Sequence, residues 1–337
     1  MIKVDPRKLL GPAIALIVFV FAIRLLIQKA SQIPREEFVG GLTSIEPVYL
    51  LISALLIVLN YGLLTCYDLL ALRYVCRVLP LRRVALVSFL GYSLGNNLGT
   101  LIAAAPIRYR FYHRWGLTHT QIVALISVLG LTFWSGVCVL GGISLTLAPV
   151  ELPAQYALPF GTRTLGILLL SITGIYGLVC LFWHKPWPIG KLRLRPPSVG
   201  LASVQASVSA VDLLISATAL YLVMPGDAMV PFSVVLAAFL VAIVVSLVSQ
   251  VPGGYGVLEL ILLHLLEDSV GPRVAASVLI FRILYYVLPL FFGMIVLVAH
   301  EIYSGAQEAR TDAKIEKNRS QETPRPDNPD PPFIDAS

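Results

Sequence analysis

Charged residues make up only 13% of this 337-residue chain and 57% of it is hydrophobic, where a soluble protein carries about a quarter charged residues. That scarcity excludes a soluble globular fold and points to an integral membrane protein. The scarcity is also uneven, because residues 301–337 hold 13 of the 44 charges. The body that remains has 20 Lys and Arg against 11 Asp and Glu. A basic balance of this kind requires no nucleic acid, since positive residues beside apolar spans orient a chain against the cytoplasmic side of a bilayer.

Other absences narrow the chemistry. The four cysteines, Cys66, Cys76, Cys138 and Cys180, form no Cys-x-x-Cys pair, so neither a disulfide framework nor a zinc site is expected. There is no Gly-x-x-x-x-Gly-Lys-Ser/Thr loop for ATP, no Gly-x-Ser-x-Gly elbow, and no paired metal-ligand spacing among His113, His119, His184, His264 and His300. No enzyme, metal or cofactor is therefore expected. Lys3, Arg7 and Lys8 precede the apolar run Leu9–Ile23 without a small-residue cleavage site after it, which reads as an uncleaved first span.

What is present is a series of long apolar runs. A bilayer core about 30 Å thick needs roughly 20 apolar residues in a helix, and seven segments reach that length: 9–28, 47–71, 120–148, 163–183, 200–224, 230–250 and 274–300. Two further segments are apolar but broken, 84–107 by Gly95-Asn96-Asn97 and 251–267 by Pro252-Gly253-Gly254. Arginines flank 84–107 at both ends (Arg82 and Arg83, then Arg108 and Arg110), so a full crossing would export one cluster. A hairpin over Ser88–Ala105 avoids that. If 251–267 crosses by itself, which is the preferred reading, the chain is an all-α polytopic bundle of about eight spans with both termini in the cytoplasm; if it is also re-entrant, there are seven spans and the tail is outside. Residues 1–303 form this membrane body, and the polar, Pro-rich tail 304–337 is expected to be disordered.

Charges inside spans are expensive, roughly 2.5–3.5 kcal/mol each on insertion scales. Asp68 and Asp212 have ordinary readings as helix-packing groups or as lining of a wet crevice. Glu259 and Arg282 carry opposite charge and flank the second break, so their pairing is expected. Arg282, Tyr285, Tyr286 and Pro289 share roughly one helical face, as a hydrogen-bonded cluster or a polar path for a headgroup. Asn96 and Asn97 need protein or water partners at membrane depth, where irregular backbone is tolerated beside a cavity. Two broken segments in corresponding parts of the two halves are a transporter-like pattern, although no internal repeat is visible in the sequence. Arg108, Arg110 and Arg114, among aromatic residues, read as a topogenic cluster or as a phosphate clamp.

The stretch from Ser88 through Gly95-Asn96-Asn97-Leu98-Gly99, the Arg108-Tyr-Arg110 element, Val251-Pro-Gly253-Gly254-Tyr-Gly-Val-Leu-Glu259 and Phe281-Arg282-Ile-Leu-Tyr-Tyr286 together resemble the transmembrane flippase part of lysylphosphatidylglycerol synthase/flippase proteins, over about residues 9–300. The resemblance implies a multi-pass plasma-membrane protein that moves a polar lipid, aminoacylated or otherwise modified, between leaflets. The family's soluble synthase domain has no counterpart here, which argues against aminoacyl transfer. On this reading Asn96, Asn97, Arg108, Arg110, Gly253, Gly254, Glu259, Arg282 and Tyr286 are the candidate headgroup and translocation residues, with Arg108 and Arg110 at the cytoplasmic rim. The alternative is an accessory subunit for a separate lipid-modifying or glycosyl-transferring enzyme. Membrane lipid, such an enzyme and a second copy of the chain are the partners to test.

Overall fold

The computed structural model describes residues 35–149, 161–183, 187–189, 192–225, 230–271 and 273–321, with Val20, Ile23, Arg24, Ile27, Gln28 and Lys185. Most of the expected first span, 9–28, and the end of the tail, 322–337, lie outside the described residues. The helices are α1 (Arg35–Thr43), α2 (Pro47–Tyr74), α3 (Leu81–Leu98), α4 (Ala105–Arg114), α5 (His119–Leu147), α6 (Gly161–Phe182), α7 (Val199–Leu222), α8 (Phe232–Val248), α9 (Val257–Val270), α10 (Val274–Arg282) and α11 (Leu288–Gln321). Two π-helical turns, Thr100–Ala104 and Ile283–Val287, join α3 to α4 and α10 to α11. A short antiparallel hairpin, β1 (Trp187–Ile189) with β2 (Leu192–Leu194), is a loop feature in an otherwise all-α bundle.

Among the described residues five helices are long and apolar enough to cross a bilayer: α2, α5, α6, α7 and the continuous run Val274–Ser304. Their ends follow local rules. Pro47 opens α2, Thr118 and Gln121 form a reciprocal capping box on α5, and the Ser198 hydroxyl accepts from Leu201 N at the start of α7. Small residues let the helices close: Gly136 of α5 sits against Ser209 of α7, and Gly142 against Gly166 and Leu170 of α6. Side-chain hydrogen bonds reinforce these contacts, with Gln205 Nε2 donating to Thr132 Oγ1 at 3.0 Å and Ser53 Oγ to the Ala219 carbonyl at 2.8 Å.

The first broken segment is a helical hairpin, as the flanking arginines predict. Its arms are α3 and the π turn with α4, and they pair antiparallel: the Arg83 guanidinium lies over the Trp115 ring at 5.3 Å, Gly91 faces Arg108, and Gly95 faces Ala104. The reversal is at Gly99, with φ +93° and ψ 154°, a conformation essentially confined to glycine.

The second broken segment departs from the preferred reading of a full crossing. Rather than crossing alone, α9 folds back on α8 through the turn at Pro252–Gly254, so 230–250 and 251–267 are two arms of one hairpin. Arms of 17 and 14 residues reach only about 26 and 21 Å, short of the roughly 30 Å core. The polar break lies at the tip of this hairpin, where neighbouring protein can satisfy its backbone.

The two hairpins enter from opposite ends of the bundle. At one end the basic connections gather: the Tyr74 hydroxyl donates to the Arg195 carbonyl at 2.6 Å, Arg77 reaches Gln121 and the Gly116 carbonyl, and Arg110 meets Glu301. Helix α7 starts at this end and finishes at the other, where the Tyr221 ring packs edge-on against Phe232 at the start of the second hairpin. Helix α11 continues beyond Ser304 to Gln321, where disorder is expected from composition. Residues 304–321 contain no proline and are rich in Ala, Gln, Glu, Lys and Arg; the prolines begin at 324, so nothing interrupts the helix.

Candidate functional site: two hairpin tips around a cavity

The tips meet in the middle of the bundle. A Cβ on Gly253, whose φ is +63°, would run into the Asn97 carbonyl and lie 2.7 Å from the Tyr255 ring, so this approach requires glycine. Asn97 is buried and fully used: its Nδ2 donates to the carbonyls of Ser93 (2.9 Å) and Tyr286 (3.0 Å), and its Oδ1 accepts from the Tyr255 hydroxyl (3.0 Å). Asn96, half-buried, donates to the Tyr61 hydroxyl at 3.4 Å. The two amides therefore find protein partners, as membrane depth demands.

Arg282 has no exposed surface. Its Nη2 donates to the Gly253 carbonyl at 2.7 Å, and its guanidinium lies between the rings of Tyr255 (4.1 Å) and Tyr286 (4.3 Å), a cation–π sandwich. The expected pairing with Glu259 is present at 3.3 Å between Nε and Oε1. That contact lacks hydrogen-bond geometry, and Nε and Nη1 have no hydrogen-bond partner. Glu259 also accepts from Gly256 N through Oε2 at 2.9 Å, capping the first turn of α9.

The structure corrects the expected placement of the arginines. Arg108 is not at the rim. It is 2% exposed and forms a bidentate pair with Asp68, Nε to Oδ1 at 2.9 Å and Nη2 to Oδ2 at 2.8 Å, with the Tyr112 hydroxyl donating to the same carboxylate. The Tyr92 ring lies 4.6 Å from its guanidinium. The separation arises because Arg108 is on the inner face of α4, against Gly91, while Arg110, two residues on, points outward. Arg110 does lie at the basic rim, half-exposed, with Nη2 2.6 Å from Glu301 Oε1.

A cavity of about 570 Å³ lies where the tips meet. Asn96, Arg108, Gly253, Gly254, Asp212 and Tyr286 are among its lining residues, so both hairpins, α7 and the second π turn contribute to it. The well-exposed Leu101 and Ile102 border it too, giving it an apolar mouth on the outer surface of the bundle. Asn97, Arg110, Glu259 and Arg282 are not among the lining residues, so the Arg282 pair lies behind the wall that Tyr286 and Gly253 form.

Asp212 is a site residue that an ordinary packing reading leaves out. Its Oδ1 accepts from Asn60 Nδ2 at 2.7 Å and its Oδ2 from the Tyr67 hydroxyl at 2.6 Å. The Tyr285 hydroxyl in turn donates to Asn60 Oδ1 at 3.1 Å. A periodic signal was available: Ser53, Asn60 and Tyr67 recur every seven residues through an otherwise apolar α2, and all three are buried, marking one inward polar face.

No family model matches the chain. It is 32% identical over 320 residues to the inner membrane protein YbhN of Escherichia coli, covering 94% of this chain and 100% of that one. The chain belongs to the YbhN-like family of inner membrane proteins. The Synechocystis protein slr0712 is 31% identical over 307 residues, 90% of this chain and 95% of its own. A more distant similarity, 27% over 259 residues, links 75% of this chain to only 29% of phosphatidylglycerol lysyltransferase from Staphylococcus haemolyticus. The YbhN-like chain is thus a membrane protein related over most of its length to a part of that lysyltransferase.

Proposed function

We propose that this YbhN-like protein is a lipid translocase. The observation that carries the reading is the cavity between the two hairpin tips, mostly apolar in its lining, with Asn96, Arg108 and Asp212 as polar groups on its wall and exposed apolar residues at its outer border. Such a space suits a headgroup while the acyl chains stay in the bilayer. Broken segments entering from opposite ends and meeting at mid-depth are the arrangement found where transporters bind substrate, and the similarity to part of a phosphatidylglycerol lysyltransferase supports a lipid as cargo.

In this reading the basic end faces the cytoplasm, with the N-terminus on that side. Arg110 and Glu301 form a rim contact that a phosphate can compete for. Arg282, sandwiched by tyrosines and incompletely satisfied by Glu259, is the cation next to the tips that a headgroup phosphate or carboxylate meets when the pair opens. Asn97 and Gly253 hold the tips together, Asn96 ties the first tip to Tyr61 of α2, Gly254 packs on Ser246 of α8, and Arg108 serves as a fixed wall of the cavity rather than a clamp.

The test is a leaflet-resolved lipid assay with purified protein in proteoliposomes, screened over anionic, zwitterionic and aminoacylated headgroups. Movement of at least one headgroup above protein-free vesicles is expected. Absence of movement by the pure protein, with movement or lipid modification restored by a co-purifying enzyme, would replace this reading with an accessory subunit.

A further inference from the structure

The most unusual buried group is the carboxylate of Asp212. Two aspartates lie deep in the bundle: Asp68 is neutralised by Arg108, whereas Asp212 has no Lys, Arg or His within ion-pair distance among the described residues. Its partners Asn60 and Tyr67 are neutral hydrogen-bond donors, and it lines the cavity. The cavity's volume is room for on the order of ten waters or a headgroup. An ionised carboxylate held there without a counter-charge is expensive, and an ion from the cavity would remove that cost.

The ionisable groups around Asp212 leave this role to it. Helix α2 contributes Tyr61, Tyr67 and Asp68, α3 contributes Tyr92, α4 contributes Arg108, and the second π turn contributes Tyr285. Arg108 is committed to Asp68, and Arg282 at the end of α10 to Gly253 and Glu259. Helix α8 contains no ionisable residue; in the membrane α5 offers only the Cys138 thiol, and α6 only Tyr176 and Cys180.

Two runs of hydrogen bonds, joined through the body of Tyr285, lie between Asp212 and the first hairpin tip. Asn60 bridges Asp212 to the Tyr285 hydroxyl, the Tyr285 carbonyl accepts from the Tyr61 hydroxyl at 3.1 Å, and Tyr61 accepts from Asn96. We propose that Asp212 is a proton-binding site in the cavity and that its loading and release is the ion step coupled to lipid movement. The coupling half of this proposal rests on the translocase reading above.

The step is a simple transfer. A hydronium ion in the cavity gives its proton to Oδ2 and leaves as water. Oδ2 then becomes a donor, so the Tyr67 hydroxyl must turn its own hydrogen away and accept. Loading at Oδ1 instead would set two donors against each other and force the Asn60 amide to flip, carrying the change to Tyr285. Loading at Oδ2 thus switches Tyr67 and loading at Oδ1 switches Asn60 and the Tyr285 hydroxyl; either way the donors around Asp212 have two discrete arrangements, one per protonation state, and release to the other side resets them.

The experiment combines two measurements on the full chain. In the first, infrared difference spectra between acidic and alkaline buffer are recorded on protein in vesicles of phosphatidylethanolamine and phosphatidylglycerol. A carboxylic-acid carbonyl band is expected that vanishes in Asp212→Asn, survives at a shifted position in Asp212→Glu, and moves without vanishing in Tyr67→Phe. In the second, the leaflet-resolved assay is run with and without an imposed pH gradient. Wild type and Asp212→Glu should respond several-fold to the gradient, while any residual movement by Asp212→Asn should be the same with and without it. Difference spectra in which no carboxylic-acid band is lost in Asp212→Asn overturn the proton site. Lipid movement that ignores a pH gradient, or follows a sodium gradient instead, overturns the coupling alone. A wild type that moves no lipid under any gradient, yet loses its band in Asp212→Asn, overturns the translocase reading and the coupling with it while leaving the proton site standing.

Discussion

The two hairpins carry one buried ion pair each, and the pairs are built differently. In the first, Arg108 on the returning arm meets Asp68 of α2 through two aligned hydrogen bonds, with Tyr112 adding a third to the carboxylate. In the second, Glu259 on the returning arm meets Arg282 without hydrogen-bond geometry and divides its oxygens between that arginine and the start of its own helix. A charge pair that is fully matched behaves as a fixed strut, because opening it leaves two charges in a dry interior. A pair that is partly matched and cushioned by tyrosine faces can exchange its partner for a ligand at far lower cost. Within the proposed translocase, the first hairpin would be the stationary wall of the cavity and the second the side on which contacts change.

The comparison breaks most completely if the hairpins do not enter from opposite sides. With the four native cysteines replaced, single cysteines at Arg83 and His113 should label from one side of the membrane and single cysteines at Val230 and Arg273 from the other, all or none. Labelling of Arg83 and His113 from different sides would turn the first hairpin into a crossing and remove the meeting of tips.

Among substitutions, Asp68→Ala should have the largest effect on stability, a loss of about 3–5 kcal/mol, since it strands the Arg108 guanidinium in the interior. Unfolding in detergent measures it, and pairing the change with Arg108→Met should recover much of the loss. Gly253→Ala comes next, at about 1–3 kcal/mol, because a methyl group must displace the Asn97 carbonyl and adopt a positive φ. Lipid movement should fall with it, as the tips are forced apart.

Glu259→Gln should cost less, about 1–2 kcal/mol, as Arg282 keeps the Gly253 carbonyl and two aromatic faces. Its effect on lipid movement should exceed its effect on stability, and the reverse should hold for Asp68; equal ratios for the two would erase the distinction between strut and gate. Smallest of all is Arg110→Gln, at about 0–1 kcal/mol, because the Glu301 pair is half in solvent and screened by salt. A larger loss would mean that this rim contact holds the first hairpin against the last helix.

Composition and patterning alone decided the class of this molecule. With so few charges outside the tail, the body had to be helical and membrane-embedded, since only helices satisfy every backbone group within a single segment in lipid. Arginines on both sides of 84–107 likewise dictated a hairpin, for a crossing would have carried one cluster to the wrong side. The opposite charges of Glu259 and Arg282, each too costly to bury alone, foretold their contact. Tertiary structure decided what sequence distance conceals. Segments 230–250 and 251–267 look like two spans because both are apolar, and only the packing of α9 on α8 makes them arms of one hairpin. Arg108 and Arg110 look equivalent in a linear motif, yet a helix turns about 100° per residue, so one faces Asp68 and the other faces Glu301. Asp68 found a guanidinium 40 residues away and Asp212 found only neutral donors. Whether a buried charge is neutralised depends on what the neighbouring helices bring to it, and no local pattern in the chain carries that information.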